Sequence, residues 1–137
     1  ICTAAVADWR PIQVSSRKLK KFEEKGHLLA LRETPDILSW IGHHPSRPRL
    51  VIGFAAETDG LELHARKKRK DKNVDWILAN SVFQPNASVF NSDYNEVFFI
   101  SKTENERWEL DSKVAIAQKL TNKISDYFFH VRQKEVL

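Results

Sequence analysis

The stretch LVIGFAAETDGLELHARKKRKDKNVDWILAN, residues 50–80, decides the fold class. It opens and closes on short apolar runs, LVIGFAA at 50–56 and DWILAN at 75–80, each nearly continuous rather than alternating. That pattern belongs to parallel strands covered on both faces. Between them DGLELHARKKRKDK reads as a polar, strongly basic helix. Strand, helix and strand in this order form the unit from which parallel sheets are built.

Working outward, CTAAVA at 2–7 and EVFFIS at 96–101 are two further runs of strand length. TPDILSWIGHH, residues 34–44, predicts a helix with Thr34 as N-cap and Pro35 at the first helical position, where a missing N–H is harmless. EVFFISKTENERWEL flanks the polar TENE with two β-rich runs and predicts an antiparallel hairpin. A final helix from about Ser112 to Arg132 places Val114, Ala117, Leu120, Ile124, Phe128 and Val131 at steps of three and four, as a face for the sheet. The expected architecture is therefore α/β: a Rossmann-like, mostly parallel sheet with an antiparallel hairpin edge and a C-terminal helix, in a single domain over residues 1–137.

Composition agrees with one globular unit. The 137 residues are 42% hydrophobic and 29% charged, with a net charge of +4, which argues against both disorder and a membrane protein. No apolar run approaches the roughly 20 residues that span a bilayer. One cysteine, Cys2, allows no internal disulfide and fits a reducing compartment. The cytoplasm is the expected location. Asn86-Ala87-Ser88 matches a glycosylation acceptor formally, and in such a compartment the match is chance.

In open parallel sheets ligands bind beyond the carboxyl ends of the strands. Polar or backbone-exposing residues gather there: Asp8 after the first run, Gly53 and Phe54 in the second with Glu57 and Thr58 just past it, and Asn80 after the third. A glycine inside a strand lets a ligand or another backbone come close. The second feature is the run Arg66, Lys67, Lys68, Arg69, Lys70 and Lys72, six cations in seven positions. Cations at a helix C-terminus complement its dipole, but Lys68 and Lys72, at i and i+4, share a face and can grip one polyphosphate. Together with Trp9, Trp40, Trp76 and Trp108 the run also invites a nucleic-acid reading. The small net charge and the lack of aromatics within the run weigh against it. Metal and nucleophile chemistry find no support: His43 and His44 read as solvated residues ending a helix, Cys2 has no partner at ligand spacing, and no phosphate loop or serine elbow is present. No metal ligands are assigned.

AAVADW, KLKK ten residues past Asp8, TPDIL, VIGFAAET, ARKKRKDKN, DWILAN and FNSDYNEV, in this order and spacing, resemble the phosphopantothenate-cysteine ligase (phosphopantothenoylcysteine synthetase) domain of the bacterial bifunctional coenzyme A biosynthesis flavoprotein. The likeness is close from residue 1 to about 97 and general beyond. It implies a CTP-dependent ligase, in which the 4'-phosphopantothenate carboxylate attacks the α-phosphate of CTP and the cysteine amine then attacks the acyl-cytidylate. Carried over by position, it implies that Asp8, Lys18, Pro35, Asp36, Ile37, Leu38, Phe54, Lys68 and Lys72 bind CTP, that Lys18 is the catalytic cation, and that Ala4 and Ala5 contact the acyl-cytidylate. CTP would act as a cosubstrate with Mg, and FMN would belong only to the decarboxylase half. The resemblance further implies a homodimer with no nucleic-acid or membrane partner. Lys18, on the polar segment RPIQVSSRKLKKFEEKG, would close over the nucleotide as a lid. Because a strand begins at residue 1, the family's leading segment and its part of the acyl site are expected to lie upstream, and the chain alone is expected to be inactive. The alternative is a basic α/β module that binds nucleic acid or another polyanion without catalysis.

Overall fold

The computed structural model describes residues 1–3, 6–18, 28–81 and 92–135. The decisive stretch folds as expected: strand β3 (Ile52–Glu57), helix α2 (Leu61–Asp71) and strand β4 (Trp76–Ser81), with β3 and β4 parallel and Phe54 opposite Leu78. The hairpin follows as β5 (Tyr94–Ile100) and β6 (Asn105–Ser112), antiparallel to each other, and β5 is antiparallel to β4. The sheet order is thus β3-β4-β5-β6. Its β3 edge is extended by Cys2, which pairs in parallel with Gly53. Cys2 is the paired residue of the first apolar run among the described residues, and Val6 in the same run is exposed.

The near-continuous apolar character of β3 and β4 has a direct cause, since both faces of the sheet are covered. On one face Val51, Ala55, Ile77, Ala79 and Ile100 meet Ala65 of α2, with Leu38 and Ile41 of helix α1 (Ile37–His43) beside them. On the other, Ile52, Trp76, Leu78, Val97, Phe99 and Trp108 meet helix α3 (Lys113–Glu135) through Ile116, Leu120, Ile124 and Tyr127. Ile77 and Leu78 are almost fully buried, and truncating either to alanine should cost about 2–5 kcal/mol. The α3 face differs from the expected one. Leu120 and Ile124 belong to it, but Val114 is 80% exposed and Phe128 lies at the rim, because Ile116 and Tyr127 take the inward positions.

Two local expectations are corrected. The N-cap of α1 is Asp36, whose Oδ1 accepts the Ser39 amide at 2.9 Å. Thr34 instead donates its hydroxyl to the Ala7 carbonyl at 2.6 Å, so Pro35 stands before the helix rather than in its first turn. Gly53 is glycine for packing: a Cβ there would lie 2.5 Å from Leu38 Cδ2, so its missing side chain seats α1 rather than a ligand. His43 ends α1 and is exposed, with His44 as the C-cap.

The segment after Asp8 carries structure that its sequence did not announce. Strands β1 (Trp9–Pro11) and β2 (Leu31–Glu33) form a small antiparallel ribbon, with Trp9 opposite Glu33. The ribbon is prolonged by hydrogen bonds from the Ile12 amide to the Ala30 carbonyl and from the Thr34 amide to the Asp8 carbonyl. The polar segment holding Lys18 therefore leaves and rejoins the fold at one place.

Candidate functional site

The ribbon, the start of α1, the edge of β3 and the end of α2 enclose a cleft of about 430 Å³. Asp8 and Trp9 enter it at the start of the ribbon's first strand, Glu33 and Thr34 at the end of its second, Pro35 and Asp36 from the approach to α1, Ile37 and Leu38 from its first turn, and Phe54 from β3. Lys72, the C-cap of α2, closes it. Its lining combines apolar and aromatic side chains, Val6, Trp9, Ile37, Leu38 and Phe54, with the acids Asp8, Glu33 and Asp36 and with Lys72. A cavity with an apolar wall and a few convergent polar groups is the usual form of a small-molecule site.

Lys72 is placed there by the seam between α1 and α2. Gly42 is buried, and a Cβ on it would stand 2.0 Å from the Lys72 carbonyl oxygen. The backbones can approach this closely only at glycine. Asn73 adopts a left-handed conformation, φ 51°, and its side-chain Nδ2 donates to the Gly42 carbonyl at 2.8 Å. Arg47 then bonds the Asn73 carbonyl at 2.7 Å and pairs with Asp75, whose Oδ2 also accepts the Val51 amide.

Of the nine residues expected to bind the nucleotide, Asp8, Pro35, Asp36, Ile37, Leu38, Phe54 and Lys72 line this one cleft. Lys68 does not: it lies one turn before Lys72, and its Nζ is 2.6 Å from Glu57 Oε1. The two lysines therefore face different carboxylates, because Lys72 Nζ is 3.4 Å from Asp36 Oδ2. Lys18 is exposed and stands outside the lining. Ala4 and Ala5 lie outside the described residues, as does Asn86-Ala87-Ser88. Glu57, Thr58 and Asn80, expected at the same strand edge, are not in the lining. Cys2, Trp9, Glu33 and Thr34 join it without having been singled out as ligand contacts. Cys2 is there through its pairing with Gly53, and the other three through the ribbon's pairing, which neither WRP nor LRE signals by alternation.

The basic helix is largely neutralised by its own surroundings. Arg66 pairs with Glu62 and Lys67 with Asp71, each at 2.6 Å and at i,i+4 spacing, and Arg69 donates to the Val74 carbonyl at 3.3 Å. A second groove of about 700 Å³ lies between α3, the β5–β6 turn and the segment Asn73 to Trp76 that leads into β4. Two of its cations are ion-paired, Arg47 to Asp75 and Lys123 to Glu104 and Glu106. Among the described residues no cluster of three or more His, Cys, Asp or Glu side chains has metal-binding geometry, and no helix is long and apolar enough to cross a membrane.

Comparison with known proteins places the chain in a family. The chain is 36% identical over 125 residues to the coenzyme A biosynthesis bifunctional protein CoaBC of Haemophilus influenzae, covering 91% of this chain and 30% of that protein. It is 38% identical over 126 residues to the Bacillus subtilis protein of the same name, with coverage of 91% and 30%. The crystal structure of the C-terminal domain of a CoaBC protein superposes with a TM-score of 0.67 at 31% identity, covering 93% of this chain and 53% of that one. The chain thus spans about 30% of the length of these curated relatives. A model of the DNA/pantothenate metabolism flavoprotein C-terminal domain matches residues 1–128. With the sheet, the cleft and nearly all of the sequence inside that match, the chain belongs to the DNA/pantothenate metabolism flavoprotein C-terminal domain family.

Proposed function

We propose that the chain supplies most of the CTP site of a phosphopantothenate-cysteine ligase acting in coenzyme A biosynthesis. The observation that carries this reading is the convergence of Asp8, Pro35, Asp36, Ile37, Leu38, Phe54 and Lys72 on one cleft from four separate parts of the chain. In the proposed reaction the 4'-phosphopantothenate carboxylate attacks the α-phosphorus of CTP and the bond to pyrophosphate breaks. The cysteine amine then attacks the acyl carbon, an amide forms, and CMP leaves. An anionic nucleophile meeting a triphosphate needs cations to neutralise the phosphates and to stabilise the charge that moves onto pyrophosphate. Lys72 is at the cleft for that role, Lys68 is one turn away, and Lys18 would reach it from the segment carried by the ribbon. Magnesium enters as the CTP complex, and FMN is assigned to the decarboxylase half of the bifunctional relatives. A homodimer in the cytoplasm is the proposed working form.

The competing reading, a general polyanion surface, fits the ion-paired basic helix poorly, because four of its cations already face carboxylates at 2.6–3.4 Å. Thermal melting with Mg-CTP, Mg-ATP, Mg-GTP and Mg-UTP separates the two, since binding to the folded state raises its stability. CTP should give the largest rise. Equal shifts for all four nucleotides would refute the assignment.

A further inference from the structure

We propose that Glu57 is a positioning counter-ion for Lys68, competing with nucleotide phosphate for its ammonium and so limiting how tightly the site holds polyphosphate. The inference rests on the reading of the cleft as a nucleotide site. Glu57 is the last residue of β3, and its side chain is only 12% exposed, whereas that of Lys68 is 42% exposed. The ammonium is 2.6 Å from Glu57 Oε1 but outside the angular range of a hydrogen bond, so the contact is one of charge. The other oxygen, Oε2, faces His64 Nδ1 at 3.9 Å, and that ring nitrogen is also 3.7 Å from Asp59 Oδ1.

The carboxylate is fixed by the strand, while the lysine is a flexible arm on α2. A phosphate that spans from Lys72 toward the preceding turn must take the Lys68 ammonium away from Glu57 or share it. Glu57 therefore acts in two opposing ways: it orders the lysine, which favours binding, and it neutralises the charge, which opposes binding. The attraction between unit charges in contact at a partly buried site exceeds the rotamer entropy of one side chain. Neutralisation wins, and removal of the carboxylate charge should strengthen anion binding.

Isothermal titration of inorganic tripolyphosphate and of Mg-CTP into the wild-type chain, Glu57→Gln, Lys68→Gln and the double variant tests this. Glu57→Gln should bind tripolyphosphate roughly three- to tenfold more tightly at low salt, with the gain shrinking as salt rises. In the Lys68→Gln background the same change should have no effect, a dependence that a purely structural role of Glu57 would not produce. Equal or weaker tripolyphosphate binding by Glu57→Gln overturns the proposal, as does a gain that survives in the double variant. Should Glu57→Gln not fold, Glu57→Asp, which retracts the carboxylate, should show a smaller gain, and its absence overturns the proposal equally. A wild-type chain without preference for CTP over ATP, but with the Lys68-dependent gain intact, would refute the CTP assignment and leave the competition standing.

Discussion

Lys72 Nζ stands 3.4 Å from Asp36 Oδ2, so the C-cap of α2 faces the N-cap of α1, and both residues line the cleft. Asp36 thus serves two elements, because its other oxygen accepts the Ser39 amide. The ion pair itself is half open to solvent, with side-chain exposures of 30% and 49%, and contributes little to stability. The cap contributes more. Asp36→Ala should lower stability by about 1 kcal/mol, whereas Asp36→Asn, an equally good cap, should lose much less. Urea denaturation of both variants checks this, and equal losses would show that the charge rather than the cap matters.

Gly42 makes the α1–α2 seam possible. An alanine there usually favours a helix by about 1 kcal/mol over glycine. Here its Cβ would meet the Lys72 carbonyl at 2.0 Å and the Asn73 carbonyl at 2.9 Å, both of them backbone. Overpacking should prevail, with a net loss of about 1–3 kcal/mol. Since the displaced backbone carries Lys72, Gly42→Ala should also weaken CTP binding. Thermal melting and calorimetric titration on one preparation would read both effects.

Lys18 is exposed on the segment that the β1–β2 ribbon carries. If it closes over bound nucleotide, Lys18→Gln should weaken CTP binding by about 1.5–3 kcal/mol, the scale of a charged hydrogen bond, and leave the melting temperature of the ligand-free chain unchanged. A loss of ligand-free stability would place the residue in the fold rather than over the site.

The fold was legible where burial is symmetric. Residues 50–56 and 76–79 are apolar throughout because α1 and α2 cover one face and α3 the other. The hairpin and the closing helix were legible for similar reasons. Finer features depended on choices that local chemistry leaves open. Thr34 and Asp36 are both good caps, and only the Ala7 carbonyl within reach of the threonine hydroxyl decides between them. On α3, rotation about the helix axis put Ile116 and Tyr127 inward and left Val114 out, although both sets step by three and four. In the cleft, Asp8, the PDIL segment, Phe54 and Lys72 were named through family resemblance, and the structure brings them together. Trp9 and Glu33 were missed because they enter through cross-strand pairing of two short exposed strands, a long-range relation without a local signal.

Acid should weaken the contact between α3 and the hairpin. Lys123 hydrogen-bonds the Glu106 carboxyl and holds it below the usual carboxylate range, against the opposing effect of partial burial, with Trp108 Nε1–H donating to it at 2.9 Å. Burial pulls the Lys123 ammonium down, but the hydrogen bonds to Glu104 and Glu106 outweigh it and its pKa is raised. A depressed carboxylate pKa gives stability that is present above its unfolded value and lost as pH falls through the folded one. A raised ammonium pKa gives stability that is lost only as pH rises through the folded value, above the ordinary lysine range. Between these limits the pair contributes fully. Because the groups are solvent-screened, the acid loss should be at most about 1 kcal/mol. Urea midpoints from pH 7 down to 3 should fall less for Glu106→Gln than for the wild-type chain, and parallel profiles would dismiss the pair as a source of acid sensitivity.

The basic helix offers the sharpest separation of a built site from a charge patch. Lys72 lines the cleft, and Lys72→Gln should weaken CTP binding by about 1.5–3 kcal/mol, the loss of a hydrogen bond to a charged group. Lys67 is paired with Asp71 and its side chain is 74% exposed, away from the lining, so Lys67→Gln should change binding little. Lys68 lies between these cases, withheld by Glu57 until a phosphate competes for it. If it then shares one triphosphate with Lys72, the two substitutions cannot be independent. Their double variant should depart from additivity by on the order of 0.5 kcal/mol or more. A polyanion patch predicts another pattern: each lysine would contribute a similar increment, the increments would add, and all would fade together as salt rises. Titrations of the single and double variants at two salt concentrations decide the matter. Uniform, additive and salt-abolished losses would exclude a shared grip by Lys68 and Lys72.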